Sequence, residues 1–271
     1  MHTSVIDLLL VLSVPVLAGT LLAIANGLYY RALGRHQVKG LLITGLIGTP
    51  IHEISHALMA LLFRMRINRI AFYKPDPGSN TLGYVDYSYY PARFSHKLGL
   101  IFVGLAPLIF GSYLVMGLFT IVGFPSLHSF TGFTDLTDLA APAFWERVVD
   151  WARALVGSVD GVGMGSVLLL AVMIGTHATP SKTDLRGASG GALAVVTVLL
   201  GLSLLQEVLP ALNQALGSYL RFGIYHVSTA IVQLALLSTL AGMLLAGGGL
   251  IIRFVFQRRV LPNSTGEIAQ S

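Results

Sequence analysis

No cysteine occurs in the 271 residues, which excludes disulfides and thiolate metal ligands. Any metal must therefore be held by His, Asp or Glu. Charge is scarce as well: Asp, Glu, Lys and Arg make up 11% of the chain, against about 25% in a soluble domain. Hydrophobic residues reach 54%. Such a chain reads as an integral, multi-pass membrane protein whose first partner is the lipid bilayer. The formal net charge of +5 does not point to nucleic acid. Its basic residues cluster at the ends of apolar runs, where they set orientation and meet headgroups. No internal repeat or low-complexity tract is present. Residues 1–260 read as one transmembrane domain, followed by a polar, disordered tail over 261–271.

What is there in place of charge is one concentrated polar turn. An apolar run from about Gly40 to Phe63 contains His52-Glu53-Ile54-Ser55-His56. Residues four apart on a helix lie one above the other, so His52 and His56 can direct two imidazoles at one metal ion. Glu53 is placed to polarise the water that such a metal activates, the mechanical content of this motif in zinc proteases. Three ionisable groups in one turn are costly in lipid and mark a functional site. Pro50 removes one backbone donor and frees the carbonyl of Leu46, which predicts a kink or local opening beside His52. Gly45 and Gly48 share the face of His52 and permit another helix to approach closely.

Six apolar segments are long enough to span, a crossing needing about 20 residues. The fold class expected is all-α and polytopic, with about six transmembrane helices. The first runs from about Val5 to Leu33, is too long for a signal peptide and lacks a basic leader. The second is the motif helix. Between it and the third span, about Leu98 to Phe124, the pattern changes. Ile67 to Tyr73 and Thr81 to Tyr90 are rich in β-branched and aromatic residues, and Lys74 to Asn80 is turn-forming. They predict a membrane-associated β-hairpin or small sheet. Ala143 to Leu155 reads as an amphipathic surface helix anchored by Trp145 and Trp151. The fourth span is about Val162 to Thr176. After a break over Pro180 to Gly187, helix is expected to resume near Ala188 as the fifth span, to Leu209. The last runs from about Tyr219 to Phe256.

With six spans, both termini share a side with the hairpin and with the Pro180–Gly187 break. Eleven basic residues collect there against six opposite, which places that side, and the mouth of the site, in the cytoplasm.

A catalytic zinc site takes three protein ligands and leaves a position for water. The candidates for the third on the hairpin side are Asp76, Asp86, His96, His177 and Asp184. Asp184 lies in the proline- and glycine-bracketed break, where irregular backbone lets a side chain turn into a cavity. It could equally be an interfacial acid paired with Lys182 or Arg186. His177 could be a ligand, a hydrogen-bond donor supporting one, or an interface residue.

The order of these parts resembles the site-2 protease family of intramembrane zinc metalloproteases, in a divergent branch. The residues carrying the resemblance are the His52–His56 motif, Gly83-Tyr84-Val85, Gly104-Leu105-Ala106-Pro107, and Pro180 through Asp184 to Gly187, spanning roughly residues 38–200. Leu185 and Arg186 intervene where that family has Asp-Gly directly, and Ala106-Pro107 stands where Gly-Pro is common. The resemblance implies that His52, His56 and Asp184 hold Zn2+ and that Glu53 is the catalytic base. It implies a membrane protein as substrate, and with Asp184 as the third ligand His177 remains the candidate for a supporting residue. Together with strand-addition physics it implies that Gly83, Tyr84 and Val85 bind an unwound substrate segment. The rival readings are a membrane zinc hydrolase acting on a lipid or small amide, and a non-catalytic metal-binding scaffold.

Overall fold

A computed structural model describes residues 5–76, 78, 81–124, 126–127, 141–158, 162–191, 193–194, 196–198, 200–201, 219, 222–223 and 225–243. In chain order it contains α1 (Val5–Leu33), a 3-10 turn (Gly34–His36), α2 (Gln37–Leu62), β1 (Arg66–Ala71), β2 (Tyr84–Ser88) and α3 (Phe94–Ile121). Then follow α4 (Pro142–Gly157), α5 (Val162–His177), α6 (Lys182–Ser189) and α7 (Tyr225–Met243). The chain is mostly helical with one small antiparallel sheet. By length and composition, three described helical stretches can cross a membrane: Val16–Leu62, Phe94–Ile121 and Tyr225–Met243. The bent pair Gly163–His177 and Lys182–Ser189 makes a fourth if taken as one span. The end of the expected fifth span, the end of the last and the C-terminal tail lie outside the described residues.

Burial along α2 is inverted relative to a soluble helix. Its buried face carries Thr44, Thr49, Glu53, Ser55 and His56 together with Gly45, Gly48 and Ala57. Ile43, Leu46, Leu58, Leu61 and Leu62 are exposed. Apolar side chains facing outward suit lipid, and polar ones facing inward suit a site. The helix runs unbroken through Pro50. Gly48 lies so close to α5 that a Cβ there would fall 2.2 Å from the carbonyl oxygen of Met173. Gly45 meets the hairpin instead, at Leu82 and Tyr73.

The strands are shorter than the sequence predicts. Arg66 pairs with Ser88 and Ala71 with Tyr84, with an irregularity between Ile67 and Arg69. Beyond Ala71 the two arms stay joined less regularly, by Lys74 N donating to the Leu82 carbonyl and by the Asp76–Thr81 bridge, and lie against α2. Tyr73 Oη donates to the carbonyl of Leu42 at 2.8 Å, and Gly83 packs on Thr49 and Glu53. The hairpin thus lies lengthwise over the polar face of α2.

One core cluster joins α1, α3, α4, α5 and α7, including Leu22, Phe119, Phe144, Trp151, Ala171 and Leu234. A second, Ala60, Met65, Leu100 and Val103, lies beneath Tyr87 of the hairpin. In α4, Phe144, Val148, Trp151 and Leu155 are all buried. Trp151 is therefore a core residue stacked on Phe119 and not an interfacial anchor, while Trp145 remains exposed. The amphipathic period was legible; whether its apolar stripe would meet lipid or protein was not.

Candidate metal centre

His52 and His56 sit one turn apart on α2 with their ring centroids 4.7 Å apart. Asp184 comes from α6, more than a hundred residues along the chain. Its carboxylate reaches both imidazoles: Oδ2 lies 3.6 Å from His52 Nε2 and Oδ1 lies 3.3 Å from His56 Nε2. Ligand atoms of the three residues all lie within 4.8 Å of one another. Among the described residues, this is the group of His, Asp and Glu side chains able to hold a metal ion.

Local chemistry explains where Asp184 points. Ser181 caps α6: its Oγ accepts from Asp184 N at 3.1 Å, and Asp184 Oδ2 accepts from Ser181 N at 2.7 Å. This reciprocal capping box starts the helix at Lys182. The irregular break therefore ends earlier than expected, and Asp184 projects from the first turn of a helix that meets α5 at a 58° bend. Among the described residues, Asp184 makes no ion pair with Lys182 or Arg186.

The remaining candidates for a third ligand are engaged elsewhere. Asp86 pairs with Arg69 at 3.1 Å on the exposed side of the sheet. Asp76 accepts from Gly78 N in the turn. The Nδ1 of His96 accepts from Tyr90 N at 2.8 Å. His177 directs its ring away, with Nε2 2.9 Å from Thr44 Oγ1 and Nδ1 3.4 Å from Thr49 Oγ1. Its backbone carbonyl, by contrast, lies 2.6 Å from His52 Nδ1.

His56 has a matching support, its Nδ1 lying 2.7 Å from the carbonyl oxygen of Val103 on α3. A carbonyl only accepts, so each histidine carries a proton on Nδ1, and in the neutral ring the Nε2 lone pair then faces inward. With both rings neutral, the two Nε2 atoms face each other as acceptors at 3.0 Å, beside a carboxylate. Converging acceptors of this kind repel unless a cation lies among them. Edges of a tetrahedron with ligand bonds of about 2.0–2.1 Å are roughly 3.3–3.4 Å long, close to the spacings here. Two imidazoles and one carboxylate suit zinc and also other divalent ions.

Glu53 is buried on the same face, between the histidine pair and the hairpin; a Cβ added to Gly83 would meet its Cγ at 3.0 Å. Tyr84 is exposed and Val85 half-buried opposite Ile70. Among the described residues the sheet has two strands, so each strand keeps one edge without a ladder partner.

Residues that the motifs did not reveal complete the centre. They are Thr44 and Thr49, which hold the His177 ring, and Val103, whose carbonyl holds His56. The cap Ser181 was also missed, although Ser181-x-x-Asp184 is the sequence signal that marks it. Tyr87 packs over the Ala60–Val103 cluster, its hydroxyl within 3.8 Å of a Cβ placed on Gly187. Burial first, and then the Asp184 carboxylate, hold that phenol above its ordinary pKa, which keeps it protonated. No protein-family model, curated protein or solved structure matches the chain.

Proposed function

We propose that this chain is an intramembrane zinc metalloprotease of the site-2 type, cleaving membrane-embedded or membrane-proximal polypeptide. The observation that carries the reading is the convergence of His52, His56 and Asp184, drawn from two distant parts of the chain, on one point beside Glu53. The same observation favours an enzyme over a scaffold, because holding a metal does not require the fourth residue, Glu53.

Zinc bound there would supply a Lewis acid that activates water and polarises a peptide carbonyl. His52, His56 and Asp184 would hold it, and a single carboxylate lowers the charge that must be buried. Glu53 accepts the proton of the attacking water and returns it to the leaving amine. Its position under Gly83 keeps it away from bulk water. A membrane helix hides its carbonyls, so a substrate must unwind before reaction. The unpaired edge running from Gly83 through Tyr84 and Val85 offers main-chain partners to such an extended segment. Gly83, where that edge begins, packs on Glu53, which favours polypeptide over a lipid or a small amide. Six spans, with both termini and the mouth of the site in the cytoplasm, belong to the same proposal.

The test is cleavage of helical membrane segments by the purified, zinc-loaded protein in detergent or liposomes. Products whose formation depends on Glu53 would support it. Zinc bound stoichiometrically without any peptide cleavage, but with release of fatty acid from a lipid, would favour the hydrolase alternative.

A further inference from the structure

In a regular α-helix the carbonyl of Val103 would accept from the N–H of residue 107, but that residue is proline and has none. Val103 is buried in the second core cluster. An apolar surrounding makes an unpaired carbonyl costly. His56 Nδ1 supplies the missing donor at 2.7 Å. The His177 carbonyl at the end of α5 is in the same condition by a different route. Its three-residue partner is Pro180, which has no N–H. Its four-residue partner, Ser181 N, donates instead to Asp184 Oδ2. His52 Nδ1 fills the vacancy at 2.6 Å.

We propose that Pro107 and Pro180 are positioning residues for the metal centre. Each withholds a backbone donor from one carbonyl that faces α2, and that carbonyl then fixes the tautomer and ring orientation of one histidine. Pro107 acts on His56, and Pro180, with the Ser181–Asp184 cap, acts on His52. The cap consequently does two things at once: it aims the Asp184 carboxylate and reserves the His177 carbonyl for His52. Supporting hydrogen bonds of this kind change metal affinity by roughly 10–100-fold. The proposal rests on the reading of the triad as a metal site, but the tautomers it describes exist before any metal binds.

The experiment is nitrogen-15 NMR of histidine-labelled, metal-free protein in detergent micelles, combined with zinc affinity from chelator competition. Pro107→Ala restores an N–H that competes for Val103. It is expected to convert the His56 signal from Nδ1–H to a mixture and to weaken zinc about tenfold or more, with His52 unchanged. Pro180→Ala should do the same to His52 and leave His56 alone. Pro50→Ala serves as the control, because among the described residues no histidine meets the Leu46 carbonyl that Pro50 frees. A folded Pro107→Ala protein with the wild-type tautomer and zinc affinity overturns the proposal. So does an equal loss of affinity in Pro50→Ala and Pro107→Ala without a tautomer change, which would make the prolines mere shapers of their helices. Should Pro107→Ala not fold, the His52 tautomer in Pro180→Ala decides in the same way. Wild-type protein that binds no zinc would sink the metal reading, while the tautomer shifts would still decide this one.

Discussion

The backbone carbonyl of Asp184 rests on Gly104 of α3, where an added Cβ would fall 2.6 Å from the oxygen and 2.8 Å from the Cβ of Ala188. Absence of a side chain at Gly104 is thus what lets α6 seat its first turn against α3 and carry the carboxylate to the histidines. Gly104→Ala must move α6 outward. We expect a loss of roughly 1–3 kcal/mol in stability from the overpacked contact and weaker zinc binding. Thermal unfolding and chelator competition measure the two. Unchanged zinc affinity would show that Asp184 does not depend on this contact.

Removal of a ligand should be distinguishable from removal of its support. His52→Ala, His56→Ala and Asp184→Ala are each expected to abolish stoichiometric zinc. His177→Ala should produce a smaller loss, since its side chain binds Thr44 and Thr49 and the carbonyl that holds His52 remains. Metal content of the purified variants is the measurement. A larger loss in His177→Ala than in Asp184→Ala would reverse the assignment.

Glu53→Gln keeps size and packing but cannot take a proton. Zinc content and melting temperature should stay near wild type while cleavage falls by about 100-fold or more, the scale of general acid–base catalysis. Cleavage at the wild-type rate would remove Glu53 from the chemistry.

The hairpin should affect substrate and not metal. Gly83→Ala forces a methyl against Ala71 O, Thr49 and Glu53 at 2.8–3.0 Å, lifting the strand from the site. Val85→Pro removes a backbone donor from β2. Both variants should retain zinc and lose most cleavage of a helical membrane substrate. Normal cleavage by folded Val85→Pro would rule out strand addition at this position.

The hydrophobic runs of the motif helix and of the third span were enough to place α2 and α3, because apolar length and scarce charge report directly on helices meant for lipid. His52 and His56 were legible together, since a spacing of four residues is local geometry that any α-helix realises. The hairpin was legible in type, from β-branched and aromatic content, but not in extent. Where the ladder ends depends on Tyr73, Leu82 and Gly83 finding α2, and that is a packing outcome.

The residue chemistry left the third ligand open and the resemblance favoured Asp184; the tertiary structure is what brings that carboxylate to the histidines. Asp76, Asp86, His96 and His177 carry the same ligand chemistry in the sequence, and only the folded chain shows them engaged elsewhere. Trp151 illustrates the same limit: an amphipathic stripe announces that one face is apolar, not whether lipid or Phe119 will cover it. The carbonyls of Val103 and His177 stand furthest from the sequence, because every residue has a carbonyl. Proline and a capping box mark which ones are left without a donor; the close approach of three helices determines which histidine takes each.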